Sequence, residues 1–183
     1  MARAPLLLVT LVICSGFVAI LLFKHQSIFD QLGALFDSGP AIETIGTESL
    51  NTLLADRRRR IERAKMSGKV VEQADFVVVD VRSQKEVQVS VIPGAITQEM
   101  FEKTRDDYRG RLVIPYCTVG GRSRAYAKQL ARKGVRVKNY QGSILKWVAN
   151  GLPLVTLQGE PTQRVHTYSD RYTVPAQYEQ VTK

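Results

Sequence analysis

"RLVIPYCTVGGRSRAYAKQLARKG", Arg111 to Gly134, decides how this sequence folds. Its first part, ending at Tyr116, is an apolar run of the kind required by a strand covered on both faces. Its last part, from Ser123, carries Ala125, Leu130 and Ala131 at helical spacing and stops at Gly134. Between them stand Cys117, Thr118, Val119, Gly120, Gly121 and Arg122. A strand that enters a helix through such a turn puts Cys117 at its carboxyl end, where open α/β sheets hold their ligands. Glycines admit positive φ, so successive N–H groups can converge on one anion. The helix start adds partial positive charge and Arg122 a full one. All of these favour the thiolate, which is the nucleophilic form of cysteine. A small buried hydrophobe, the usual fate of a free cysteine, would explain the thiol but not the turn behind it.

Working outward, "FVVVDV" (Phe76 to Val81) reads as a second buried strand and "VRVKNY" (Val135 to Tyr140) as a third by alternation. Pro115 is awkward inside a central strand and predicts that the strand ends there. A helix is expected after Thr47 as N-cap, closing at Gly68, with Leu50, Leu53, Leu54, Ile61 and Ala64 on one stripe. "TQEMFEKTRDDY" reads as helical, Pro93-Gly94 as a turn, and "SILKWVANG" as a short helix stopped by Gly151. Strands alternating with helices predict an α/β fold with a central, mostly parallel sheet flanked by helices.

"CTVGGRS" resembles the active-site loop of single-domain rhodanese sulfurtransferases, Cys-x-x-Gly-x-Arg-Ser. Three further pieces follow that family's order. "FVVVDVRSQKE" is similar to its first core strand with Asp-x-Arg and a following glutamate, "VIPGA" to its His-Ile-Pro-Gly-Ala turn, and "NYQGSILKWVANGLPL" to its closing glycine, tryptophan helix and Gly-Leu-Pro. Val91 departs from the pattern, standing where the turn often has histidine.

The resemblance covers residues 41–156 and implies a rhodanese-like domain there. It also implies that Cys117 takes a sulfane sulfur from a small anionic donor such as thiosulfate, or from a persulfide. A thiol or cyanide acceptor would then receive it, without metal or other cofactor. Thr118, Val119, Gly120, Gly121, Arg122 and Ser123 would form the binding loop. Asp80 and Arg82 would brace its floor, with Arg82 pairing to Glu86. Two other readings stay open: a rhodanese-fold binding module without chemistry, and a phosphatase or arsenate reductase on the same fold. The latter needs five residues between cysteine and arginine, and here four intervene.

The 183 residues carry a net charge of +9, concentrated at 57–69 and 122–138. Such runs are ordinarily solvated helix faces, or attract anionic lipid or substrate. No recognised motif accompanies them for nucleic acid. Two cysteines, Cys14 and Cys117, and two histidines, His25 and His166, argue against a disulfide or a zinc site. His166 reads as a surface or packing residue.

The remaining segments flank the domain. Leu6 to Phe23 is uncharged and would rise roughly 27 Å as a helix, enough to span a bilayer. Residues 1–25 are therefore expected to be a single-pass anchor, with a cleaved signal sequence as the alternative. Arg3 and the amino terminus outweigh Lys24 by a thin margin, which places the domain on the non-cytoplasmic side. Residues 26–40 read as a juxtamembrane linker with one apolar helical face, and 157–183 as an extension that packs back on the domain.

Overall fold

The computed structural model describes residues 40–71 and 73–182. The expected anchor and the linker as far as residue 39 lie outside the described residues. Among the described residues no helix is long and apolar enough to cross a membrane.

The centre is a parallel sheet in the order β2-β1-β3, formed by Phe76–Asp80 (β1), Ile96–Thr97 (β2) and Leu112–Tyr116 (β3). Every residue of β1 is buried, as a strand covered on both faces demands. The pleat divides its side chains between two cores. Phe76 and Val78 join Ile114, Tyr116, Trp147 and Leu50 on one side. Val77 and Val79 join Val113, Phe101, Leu130 and Cys117 on the other. Helices α1 (Thr47–Met66) and α5 (Ser143–Ala149) contribute to the first core; α3 (Gln98–Lys103) and α4 (Gly121–Arg132) contribute to the second. The expected α/β architecture, a parallel sheet flanked by helices, is thus present.

Local details depart from the sequence reading in five places. The strand does not end at Pro115: β3 continues to Tyr116, with Val79 opposite Pro115 and Asp80 opposite Tyr116. Proline is tolerated because even-numbered residues of β3 face β1, where Leu112 N donates to Asp75 O and Tyr116 O accepts from Val81 N. Odd-numbered residues face residues 136–140: Val113 N donates to Arg136 O, and Val113 O and Pro115 O accept from Lys138 N and Tyr140 N. The donor that Pro115 lacks would serve that second neighbour. The expected third strand over 135–140 accordingly appears as two isolated parallel bridges, Val113 to Val137 and Thr44 to Asn139.

A short helix α2 (Gln84–Val89) occupies a segment read only as far as its Pro93-Gly94 turn. Thr47 is the first helical residue of α1, not its N-cap; Gly46 takes that position, and the Thr47 hydroxyl bonds Tyr140 Oη at 2.9 Å. Helix α4 begins at Gly121, two residues before Ser123.

The segment after α5 packs back. Leu154–Val155 (β4) pairs with Pro161–Thr162 (β5), and Arg164–His166 (β6) lies parallel to Glu179–Val181 (β7). Val165 enters the first core and Tyr178 Oη donates to Leu152 O at 2.7 Å. This extension carries residues 166–168 to the neighbourhood of the α4 amino terminus.

Candidate active site

The carboxyl end of β3 delivers Cys117 to the floor of the loop that opens α4. Gly120 turns the chain with φ at +98°, a conformation that side chains resist. A Cβ there would stand 2.4 Å from the Gln141 carbonyl oxygen, so glycine is required for space as well. Of the two glycines, Gly120 alone takes positive φ; Gly121 is already helical. The turn aims Gly120 N–H at Cys117 Sγ, 3.1 Å away. Burial opposes charge on this thiol. The Ser123 N–H and hydroxyl and the N–H groups of Gly120 and Val119 outweigh burial and lower its pKa.

The loop is gripped from its other side by the start of α5. Ile144 N donates to Cys117 O at 3.1 Å and Leu145 N to Thr118 O at 3.3 Å. Ser143, fully buried at φ +53°, accepts Cys117 N–H at 3.1 Å through its hydroxyl. That hydroxyl has one proton to give, toward Tyr140 O at 3.0 Å or Cys117 Sγ at 3.9 Å. Ser143 is a site residue that sequence reading missed. Its position after Gly142 was the available signal, but its contact lies 26 residues back along the chain.

The expected loop residues are brought together, with different roles. Thr118 is buried and donates its hydroxyl to Glu86 Oε1 at 2.8 Å. Ser123 is buried, and its one hydroxyl proton goes either to Gly120 O at 3.1 Å, closing the turn, or to the Cys117 thiolate. Val119 points outward, 48% exposed. Arg122 sits at the mouth and grips Glu86 with both terminal nitrogens, Nη1 to Oε2 and Nη2 to Oε1, each at 2.7 Å. Asp80 and Arg82 lie beneath. Arg82 Nε donates to Asp80 Oδ1 at 2.9 Å and Nη2 donates to Oδ2 at 2.7 Å. Arg82 Nη2 also reaches Ser90 O at 2.5 Å.

The expected Arg82–Glu86 pair therefore does not form. Asp80 lies closer along the strand end and takes Arg82, while α2 carries Glu86 up to Arg122. Glu86 also accepts from Ser83 N at 2.9 Å and Ser83 Oγ at 2.7 Å. Burial opposes its charge, but Arg122, Ser83 and Thr118 hold the carboxyl far below the usual range. The Arg122 pKa is raised in return, chiefly by its bonds to Glu86 and further by Cys117. The loop's full positive charge is thus largely matched before any ligand arrives.

Two residues of the extension were not anticipated here. His166 is buried, and its Nδ1 accepts Tyr168 N–H at 3.0 Å, so it packs as expected but close to this site. Burial lowers its pKa, and Arg82, Arg122 and Lys85 act in the same direction against Glu86. The Tyr168 ring lies against the Arg122 guanidinium, with Cζ 5.4 Å from the ring centroid. No local signal in the tail marks that contact.

A family model for the rhodanese-like domain matches residues 63–150. A sulfurtransferase of Allochromatium vinosum is 30% identical over 103 residues, covering 54% of this chain and 96% of the relative. A tRNA sulfurtransferase of Desulfurococcus amylolyticus is 33% identical over 75 residues, covering 41% of this chain and 15% of that longer protein. A rhodanese-like domain protein from Staphylococcus aureus aligns at 20% identity with a TM-score of 0.46, over 63% of this chain and 98% of its own. With nearly the whole Allochromatium sulfurtransferase matched at that identity, this chain belongs to the rhodanese-like family.

Proposed function

We propose that the chain is a rhodanese-type sulfurtransferase in which Cys117 carries the transferred sulfur. The observation behind this reading is the thiol at the floor of a four-residue turn, with Gly120 N–H on its sulfur and its pKa lowered. In the first half-reaction the Cys117 thiolate attacks the sulfane sulfur of an anionic donor. The donor's S–S bond breaks, its electron pair leaves with a thiolate or with sulfite, and Cys117 becomes a persulfide anion. In the second, an acceptor thiolate or cyanide attacks the outer sulfur and the electron pair returns to Cys117. The negative charge stays within the loop throughout, where N–H groups of Val119, Gly120 and Ser123 can face it without reorganising. Thr118 and Arg122 hold the rim through Glu86, and the Asp80–Arg82 pair supports the floor.

Incubation of the protein with a sulfane donor, followed by intact-mass measurement, is expected to show one added sulfur atom on Cys117. Cys117→Ser should fold with an unchanged thermal transition, gain no sulfur and transfer none. Turnover by that variant would overturn the assignment.

The same reading includes a membrane tether, for which the uncharged run Leu6 to Phe23 is the support. The thin charge margin favours the non-cytoplasmic side for the domain. Carbonate extraction, which leaves an integral span in the membrane pellet, tests the tether independently of the chemistry.

A further inference from the structure

We propose that Tyr168 reads the carbon-bearing part of the sulfur donor at the mouth of the Cys117 loop, making an organic sulfane compound a better substrate than inorganic thiosulfate. This inference rests on the sulfur-transfer reading above.

Tyr168 holds a φ of +67°, the left-handed region, which costs a residue with an aromatic side chain. Burial does not offset that cost, because the residue is 67% exposed. Its surroundings nevertheless fix it. Thr167, fully buried, donates its N–H to Val181 O at 3.0 Å and its hydroxyl to Ser169 O at 2.9 Å. Gln180 Nε2 donates to Thr167 Oγ1 at 2.9 Å and to Tyr172 O at 2.6 Å. His166 Nδ1 receives the Tyr168 N–H itself. A strained turn braced around one exposed ring, with that ring set on the guanidinium at the loop mouth, serves something other than packing.

The chemistry of the mouth says what it serves. Thr118 is turned inward to Glu86, and Gly120 and Gly121 have no side chains. Both terminal nitrogens of Arg122 are engaged with Glu86, so the mouth offers little unmatched charge to a doubly charged inorganic anion. Beside the part-exposed, Glu86-paired Arg122 side chain, its outward surfaces include the aliphatic Val119 and the Tyr168 ring. A donor that brings carbon to those surfaces gains contact area that thiosulfate cannot use.

Thiosulfonates, R–SO₂–S⁻, separate this effect from the reaction. The Cys117 thiolate attacks the terminal sulfur, the S–S bond breaks, and the sulfinate R–SO₂⁻ leaves with the electron pair. The products are the Cys117 persulfide anion and one sulfinate, so charge and atoms balance for any R. The full-length protein would be assayed with methanethiosulfonate and benzenethiosulfonate as donors and cyanide as acceptor. The quantity read is the preference, the ratio of kcat/KM for the phenyl over the methyl donor.

Tyr168→Ala is expected to lower that preference about fivefold, mainly through KM for the phenyl donor, while Tyr168→Phe retains it. Tyr168→Gly relieves the positive φ; it should match or exceed the wild-type thermal midpoint and lose the preference equally, which removes misfolding as an explanation. An unchanged preference in the alanine and glycine variants, or equal losses on both donors, would overturn the inference and leave sulfur transfer standing. Failure of every donor to place sulfur on Cys117 would overturn both.

Discussion

Two carboxylate–guanidinium pairs lie within a few residues of one another, and their contrast explains how the site divides its labour. In Asp80–Arg82 both side chains are completely buried and the partners are two residues apart; Ser90 O and the Tyr116 ring also meet the guanidinium, whose Nη1 has no hydrogen-bond partner among the described residues. In Glu86–Arg122 the carboxylate side chain is 2% exposed and the guanidinium 40%, and the partners come from different elements. Two buried charges can stay ionised only by holding each other, so the first pair is a fixed strut. The second is anchored at its acidic end alone. Its basic end remains at the mouth, in contact with Tyr168 and near Cys117. One ion-pair chemistry yields a foundation or a working edge according to which partner keeps its access to water.

The largest effect expected from disturbing this contrast is at the strut. Asp80→Asn strands the Arg82 guanidinium in the interior and should cost about 3–5 kcal/mol, read from denaturant unfolding. A loss below about 1 kcal/mol would show that the two pairs are equivalent.

Arg122→Ala ranks next, at about 2 kcal/mol, because Glu86 stays buried with only the neutral donors of Ser83 and Thr118. The stranded carboxylate should also push the Cys117 titration upward, seen as a later midpoint in the pH dependence of alkylation. Glu86→Gln should be mildest, at about 1 kcal/mol near neutral pH, since Arg122 can turn to water. It should move the thiol the opposite way, downward, by releasing the guanidinium charge. Movement in the same direction for both variants would mean that the pair does not act on the sulfur through charge.

The stability difference at Glu86 has a defined pH dependence. Its folded pKa lies below the ordinary 4.5, so its contribution is complete above that value. The wild-type advantage over Glu86→Gln should therefore shrink as pH falls below about 4.5 toward the folded pKa. An advantage that grows with acid would reverse the assigned sign.

The contrast between the pairs also marks where sequence reasoning stopped. Asp80, Arg82, Glu86 and Arg122 are all legible as motif residues, yet the resemblance pairs Glu86 with Arg82, whereas the structure pairs it with Arg122. Spacing along the chain cannot decide between two acids that are both within reach of one arginine. That choice depends on where α2 carries Glu86, and α2 itself was not read. Pro115 was misread for a related reason: proline ends a ladder only on the side its missing N–H would serve, and that side is a property of the register.

The alternation of strands and helices, the position of Cys117 at a strand end and the glycine turn behind it are all legible along the chain without its fold. Those features are written in hydrophobic period and backbone freedom, which act over a few neighbouring residues. Tertiary structure alone decided which carboxylate faces which guanidinium, that Ser143 reaches back to Cys117, and that Tyr168 reaches Arg122. Asp80–Arg82 apart, these contacts join residues 26 or more positions apart, and their free energy depends on burial and orientation that exist only once the sheet and helices have packed.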